Sequence, residues 1–149
     1  MDLVVLKTIS GLSFIGPLNE KIIVNTIQNS FNLMKSFISN HHEQINEVLL
    51  ENDLYSKLEI IQALMIDIEG DQDSLQKQSI QKSLLNLHMI VEDILKLLEI
   101  IDQKIKYHNT KYFSKWRSIN YEKQIVQLKK SIQILDRRYQ MFLEVLKVR

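Results

Sequence analysis

A chain of 149 residues with 3 Gly and 1 Pro has little with which to turn. Average usage would supply roughly ten Gly and seven Pro at this length. Sheets need frequent turns, and turns are built largely from Gly, Pro, Asn and Asp. The chain is therefore expected to be all-α, and its length suits one domain spanning 1–149. Hydrophobic residues at 45% and charged residues at 25% are enough for a core and a solvated surface. Cys is absent, which excludes disulfide frameworks and thiolate metal sites. There is no Asn-X-Ser/Thr sequon and no secretory signal pattern, so the expectation is an intracellular protein.

Apolar spacing divides the chain into a leader and four long helices. Residues 1–16 form the leader, whose Leu3–Ile15 run is apolar apart from Lys7 and some small polar residues. Thirteen residues fall short of the ~20 that a spanning helix needs. Gly16-Pro17 ends the leader, and Pro17 suits the first position of a helix over 17–39 with Ile23, Ile27, Met34 and Ile38 on its inner face. Asn40 and Glu43 have capping-box spacing, which predicts a second helix over 41–69. Its face reads Ile45, Val48, Leu49, Tyr55, Leu58, Ile61, Met65 and Ile68, and Gly70 serves as its C-cap. Asp71 or Asp73 starts a third helix over 72–107, where Ile80, Leu84, Leu87, Val91, Ile94, Leu98, Ile101 and Ile105 alternate by 4 and 3 as a heptad seam. Leu85, Leu95, Leu97 and Ile100 widen it into the stripe of a helix with neighbours on two sides. A short connecting helix over 111–118 leads to the last helix, 120–148, through Ile125, Leu128, Ile132, Leu135, Tyr139, Phe142 and Leu146. Short connections make successive helices antiparallel, so the expected architecture is an antiparallel four-helix bundle. The last helix reaches Arg149 without a cap signal, as expected of an N-terminal piece of a longer protein.

The chemistry of an enzyme is not visible. No phosphate-cradling glycine loop occurs, and no His-Glu-x-x-His zinc helix. None of the four His has the Glu three residues before it that a di-iron bundle requires. His41 and His42 read as a polar inter-helix turn, and His108 as a helix-end residue. No cofactor, metal site or catalytic residue is expected.

Charge distribution is more informative. Residues 1–103 carry 7 Lys against 15 acids, a net −8, whereas residues 104–149 carry 12 cations against 3 acids, a net +9. With Ile125 at heptad position a, Lys123, Lys130 and Arg137 all fall at position f, opposite the seam, in a stripe that Asp136 and Glu144 dilute. Lys111, Lys115 and Arg117 precede this row, interleaved with Tyr112, Phe113 and Trp116, aromatics of the kind that favour a membrane–water interface. Basic groups of this kind are attracted to anionic lipid, and the alternative is an ordinary solvated helix face. Nucleic acid fits less well, because the whole-protein field is nearly neutral. The leader residues Leu3, Val4, Val5, Leu6, Ile9, Leu12, Phe14 and Ile15 would form a large apolar patch if solvated. They must dock on the bundle, enter a membrane or bind a partner.

These features together resemble one family. A Gly-interrupted apolar leader (Leu3 to Gly16), long amphipathic helices, a Lys-Tyr-Phe-x-Lys-Trp-Arg segment (111–117) and a final helix reading Ile125-x-x-Leu128-x-x-x-Ile132-x-x-Leu135-x-Arg137-x-Tyr139-x-x-Phe142 resemble the N-terminal helical bundle of the mixed-lineage-kinase-domain-like (MLKL) proteins. They resemble, more broadly, the HeLo and HeLo-like cell-death domains of fungi and the related helical domain of some plant immune receptors. The resemblance implies a latent executioner domain, cytoplasmic at rest and regulated by a C-terminal or separate domain. On activation such domains oligomerise, bind anionic phospholipid and permeabilise the plasma membrane. It implies that the leader is the inserting element and that Lys111, Lys115, Arg117, Lys123, Lys130 and Arg137 contact headgroups, with Tyr112, Phe113 and Trp116 at the interface. One departure is clear. Animal members carry lipid-binding cations on the first two helices, whereas residues 41–73 here hold nine acids against Lys57 alone. Lipid contact is therefore expected through the basic last third and the leader. The competing expectation is a non-lytic adaptor or oligomerisation module that binds protein through wide apolar faces.

Overall fold

The computed structural model describes residues 20–40, 42–110 and 119–147, with the side chain of Gln72 left aside. Among these the elements run α1 (Glu20–Ser39), α2 (Glu43–Glu51), α3 (Leu54–Ile68), α4 (Gln72–Leu75), α5 (Gln78–Asn109) and α6 (Glu122–Lys147), with no strand. The protein is an all-α helical bundle. The leader 1–16 and the connecting segment 111–118 lie outside the described residues.

The rods alternate in direction. Lys21 Nζ lies 3.7 Å from Glu69 Oε2, and the rings of Phe31 and Tyr55 stack at 4.5 Å, so α1 and α3 are antiparallel. Arg138 Nη1 donates to the Asn86 carbonyl at 2.9 Å, which sets the C-terminal half of α6 beside the N-terminal half of α5. One continuous core joins them, drawing Ile27 and Met34 from α1, Leu58 and Met65 from α3, Leu87, Ile94 and Leu98 from α5, and Leu128 and Phe142 from α6. Each such side chain, fully withdrawn from water, contributes roughly 1.5–3 kcal/mol before ordering costs. All eight seam residues of α5 are buried, together with Ile90, Ser83 and His88.

Four sequence expectations need correction. First, the inner face of α1 ends on Phe37, 1% exposed, whereas Ile38 is 61% exposed. Three residues and four residues beyond Met34 both stay near one helical face, and the larger ring takes the core. Second, Asn40 does not cap the second helix. Its N–H still bonds the Ser36 carbonyl as the end of α1, and His42 occupies the N-cap position of α2 without a side-chain cap bond.

Third, the expected helix over 41–69 is broken at Asn52–Asp53. Asn52 turns back so that both its N–H and its Nδ2 donate to the Val48 carbonyl, at 3.1 and 2.8 Å. Asp53 then adopts φ 53°, ψ 38°, a left-handed conformation that Asp tolerates better than most residues. The break shifts the register of everything after it. Leu54, fully buried, takes the place an unbroken helix would give to Tyr55, which is half-exposed. Fourth, Asp71 caps only the short α4, accepting from Ser74 N at 3.3 Å and Ser74 Oγ at 2.8 Å. The chain unwinds at Gln76–Lys77, where Gln81 Nε2 donates to the Leu75 carbonyl, and α5 starts at Gln78. Gly70 follows the α3 C-cap Glu69 but has no positive φ.

Candidate functional site

The long seam of α6 dictates what its opposite face can do. Ile125, Leu128, Ile132, Leu135 and Phe142 are buried, so heptad position f points outward. Lys123, Lys130 and Arg137 are all exposed there, with exposed Lys129 beside Lys130. A seven-residue repeat advances about 10 Å, so the row runs for about 21 Å along the helix. Two flanking charges behave differently from the row. Arg138 is half-buried and holds the Asn86 carbonyl, which makes it a strut between α5 and α6. Asp136 Oδ2 accepts from Lys57 Nζ of α3 at 3.0 Å, so its negative charge is offset by a neighbouring cation.

The antiparallel pairing adds cations that periodicity on α6 alone does not place. Lys96 of α5 faces Lys130 across an open groove of about 370 Å³, lined also by Asp93, Leu97, Ile100, Gln127 and Ser131. Burial pushes the Asp93 carboxyl above its usual range, with Lys96 and Arg138 opposing the shift and Glu92 adding to it. Lys104 is exposed further along α5, and Lys106 pairs with Asp102 at 3.0 Å. Lys96 joins this face only through the packing of α5 on α6, which the spacing within either helix does not tell.

Of the remaining expected site residues, the leader set Leu3, Val4, Val5, Leu6, Ile9, Leu12, Phe14 and Ile15 lies outside the described residues. So do Lys111, Lys115, Arg117 and the aromatics Tyr112, Phe113 and Trp116. On α2 and α3, by contrast, Glu43, Glu47, Glu51, Asp53, Glu59 and Asp67 are exposed, so that surface is acidic.

A second feature was not legible from periodicity. The break at Asp53 opens an apolar groove of about 290 Å³ between the C-terminal end of α1 and the α2–α3 corner. Met34, Ile38, Leu49, Leu50 and Tyr55 line it, with Asn46, Asp53 and Ser56 as its polar members. Asn46 Nδ2 donates to the Phe37 carbonyl at 3.1 Å, while its Oδ1 is buried without a partner. His42, one turn before Asn46, has its pKa lowered by burial, with Asp102 opposing.

No group of three metal-ligating side chains occurs among the described residues, and no described helix is long and apolar enough to cross a membrane. No protein-family model and no solved structure matches the chain. The chain is similar to Uncharacterized protein L717 of Acanthamoeba polyphaga mimivirus, at 39% identity over 71 residues. That stretch is 48% of this chain and 34% of the viral protein, so the chain spans about a third of the length of the relative it matches.

Proposed function

We propose that this bundle is a latent membrane-active domain that binds anionic phospholipid through the α6 face and, once assembled into oligomers at the bilayer, permeabilises it. The observation that carries this reading is the segregation of charge: an exposed cationic row on α6, joined across a groove by Lys96 of α5, on a bundle whose α2–α3 surface is acidic. Near an anionic surface each such cation contributes about 1 kcal/mol. The acidic surface is repelled by the same field, which orients the molecule as well as attracting it. The resemblance to HeLo-type cell-death domains supports the same reading, with the cytoplasm as the resting location and the plasma membrane as the target.

The test is dye release from liposomes. The full chain, alone and with dimerisation forced through a fused domain, is added to phosphatidylserine-containing and to neutral vesicles. Release confined to anionic vesicles is expected, and stronger release on forced dimerisation. Binding or release indifferent to lipid charge would overturn the α6 assignment. Absence of release under both conditions would overturn the lytic reading. A second reading, a non-lytic adaptor, is favoured by the apolar groove at the α2–α3 corner and predicts a defined oligomer with no release at any composition.

A further inference from the structure

α3 is apolar on more sides than the bundle uses. Ten of its fifteen residues are apolar, yet only Leu54, Leu58, Ile61, Met65 and Ile68 are buried. A helix that is apolar all round is ordinarily covered all round. Here Ile60 and Ile66 are each 56% exposed, and Ala63 between them is exposed as well. Spaced by three, these residues form one ridge of the kind that seats in the groove of another helix. Glu59 and Asp67, both exposed, flank the ridge.

The two acids narrow what can cover it. Anionic lipid repels carboxylates, so the occupant must bring apolar side chains and cations together. The outward face of α6 presents that combination. Val126, 49% exposed, lies on one face with Lys123 and Lys130, and Met141, 56% exposed, follows Arg137 by one turn. The spacings also agree. Glu59 and Asp67 stand eight residues apart, about 12 Å along α3, and neighbouring cations of the α6 row stand about 10 Å apart. Among the described residues none of these five charged groups has an ion-pair partner, so both sets are available. Both faces point outward from the same bundle, so they can meet only between copies. A net charge of +1 leaves little overall repulsion between those copies.

We propose that the outer face of α3 in one copy docks on the outer face of α6 in a second copy. Ile60 and Ile66 seat beside Val126, and Glu59 and Asp67 face two neighbouring cations of the row. Because the two faces are different surfaces of one chain, the contact is head-to-tail and further copies can add. One helix laid on one helix is a small interface, so the association is weak and depends on concentration. The contact uses the row that the proposed function gives to lipid, so a bilayer and a second copy compete for it. That competition rests on the lipid reading; the contact itself does not. Self-association then shields the cations in solution and a bilayer releases them.

Sedimentation velocity of the full chain over a range of concentrations, without lipid, reads the contact. Association that rises with concentration and falls with added salt is expected. Glu59→Lys/Asp67→Lys and Lys123→Glu/Lys130→Glu/Arg137→Glu should each weaken it at least about tenfold, because like charges then face each other. An equimolar mixture of the two variants should associate again, since each supplies the face the other needs, and that recovery requires both to be folded. A monomer at every concentration, association unchanged in both variants, or a mixture no larger than its components would overturn the contact. Ile60→Ser/Ile66→Ser keeps every charge and should also weaken association. Its binding to phosphatidylserine vesicles should therefore exceed that of the unaltered chain at a concentration where the latter associates. Equal vesicle binding would overturn the competition. Vesicle binding by neither protein would overturn the lipid reading alone, because sedimentation without lipid decides the contact.

Discussion

Neutralising the α6 row is the perturbation with the clearest expected size. Lys123, Lys130 and Arg137 are exposed, so changing all three to Gln should leave the fold within about 0.5 kcal/mol per site. At an anionic bilayer three cations at about 1 kcal/mol each amount to about 3 kcal/mol. That is a loss of about 150-fold in partitioning at low salt. The right comparison is Lys35→Gln/Lys77→Gln/Lys82→Gln, which removes the same charge from exposed positions on α1, the α4–α5 turn and α5. If position matters and not merely net charge, this control keeps most of its binding. Co-sedimentation with phosphatidylserine vesicles reads both variants, and thermal unfolding by circular dichroism confirms that each is folded. Binding of the unmodified chain should weaken as salt shortens the screening length from about 30 Å at 0.01 M to about 8 Å at 0.15 M. Equal losses in the two triple variants, or a loss below about fivefold in the α6 variant, would refute the assignment of the lipid-binding face.

Three further outcomes follow from the packing and the charges. Phe37→Ala should cost about 3–5 kcal/mol in urea unfolding, whereas Ile38→Ala should cost under about 0.5, and the reverse order would restore the inner face expected from spacing alone. Asp53→Gly should leave stability unchanged or raise it by up to about 1 kcal/mol, because glycine adopts φ 53° without strain, while Asp53→Val should lower it. His42 has a folded pKa below its ordinary 6.5, so its contribution to stability is intact above that value and is lost as pH falls through 6.5 toward the lowered folded value. Urea midpoints should therefore drop on acidification to about pH 5.5, and less so in His42→Gln; the same drop in both proteins would assign the effect to other groups.

The long uniform seams were legible, and the places where the chain changes direction were not. On α5 eight apolar residues alternate by 4 and 3 over more than three heptads, so a misreading at one position is corrected by the next, and all eight are buried. The same redundancy placed Lys123, Lys130 and Arg137 outside, because they share a register with a buried seam. The break after Glu51 has no Gly or Pro to announce it. It is made by Asn52 and Asp53, whose side chains and tolerance of left-handed backbone compete with the helix. Read forward from Val48, a step of seven selects Tyr55, whereas read backward from Leu58, a step of four selects Leu54. Only the second register continues a 4-3-4-3 pattern through Ile61, Met65 and Ile68, all buried. The groove was hidden for the same reason, since it exists only because the helix breaks. Lys96 required knowing which helices touch.

The arrangement of contacts also says where the described helices hold together least. Among the described residues α6 packs along α5, α5 along α1, and α1 along α3, while contact between α6 and the α2–α3 rod is sparse. The polar tie across that side is Lys57 Nζ to Asp136 Oδ2 at 3.0 Å, with both side chains substantially exposed. An exposed pair of this kind is worth at most about 1 kcal/mol and is weakened by salt. Under the proposed function, an anionic bilayer would attract the α6 cations and repel the α2–α3 carboxylates, and so would pull across the side that Lys57 and Asp136 tie. Separation there would keep the long α5–α6 seam intact. Packed helices can switch by rigid-body rotation or by sliding at an interface. Among the described residues that side lies between the α6 cations and the α2–α3 carboxylates, the two surfaces that the proposed function sets against each other.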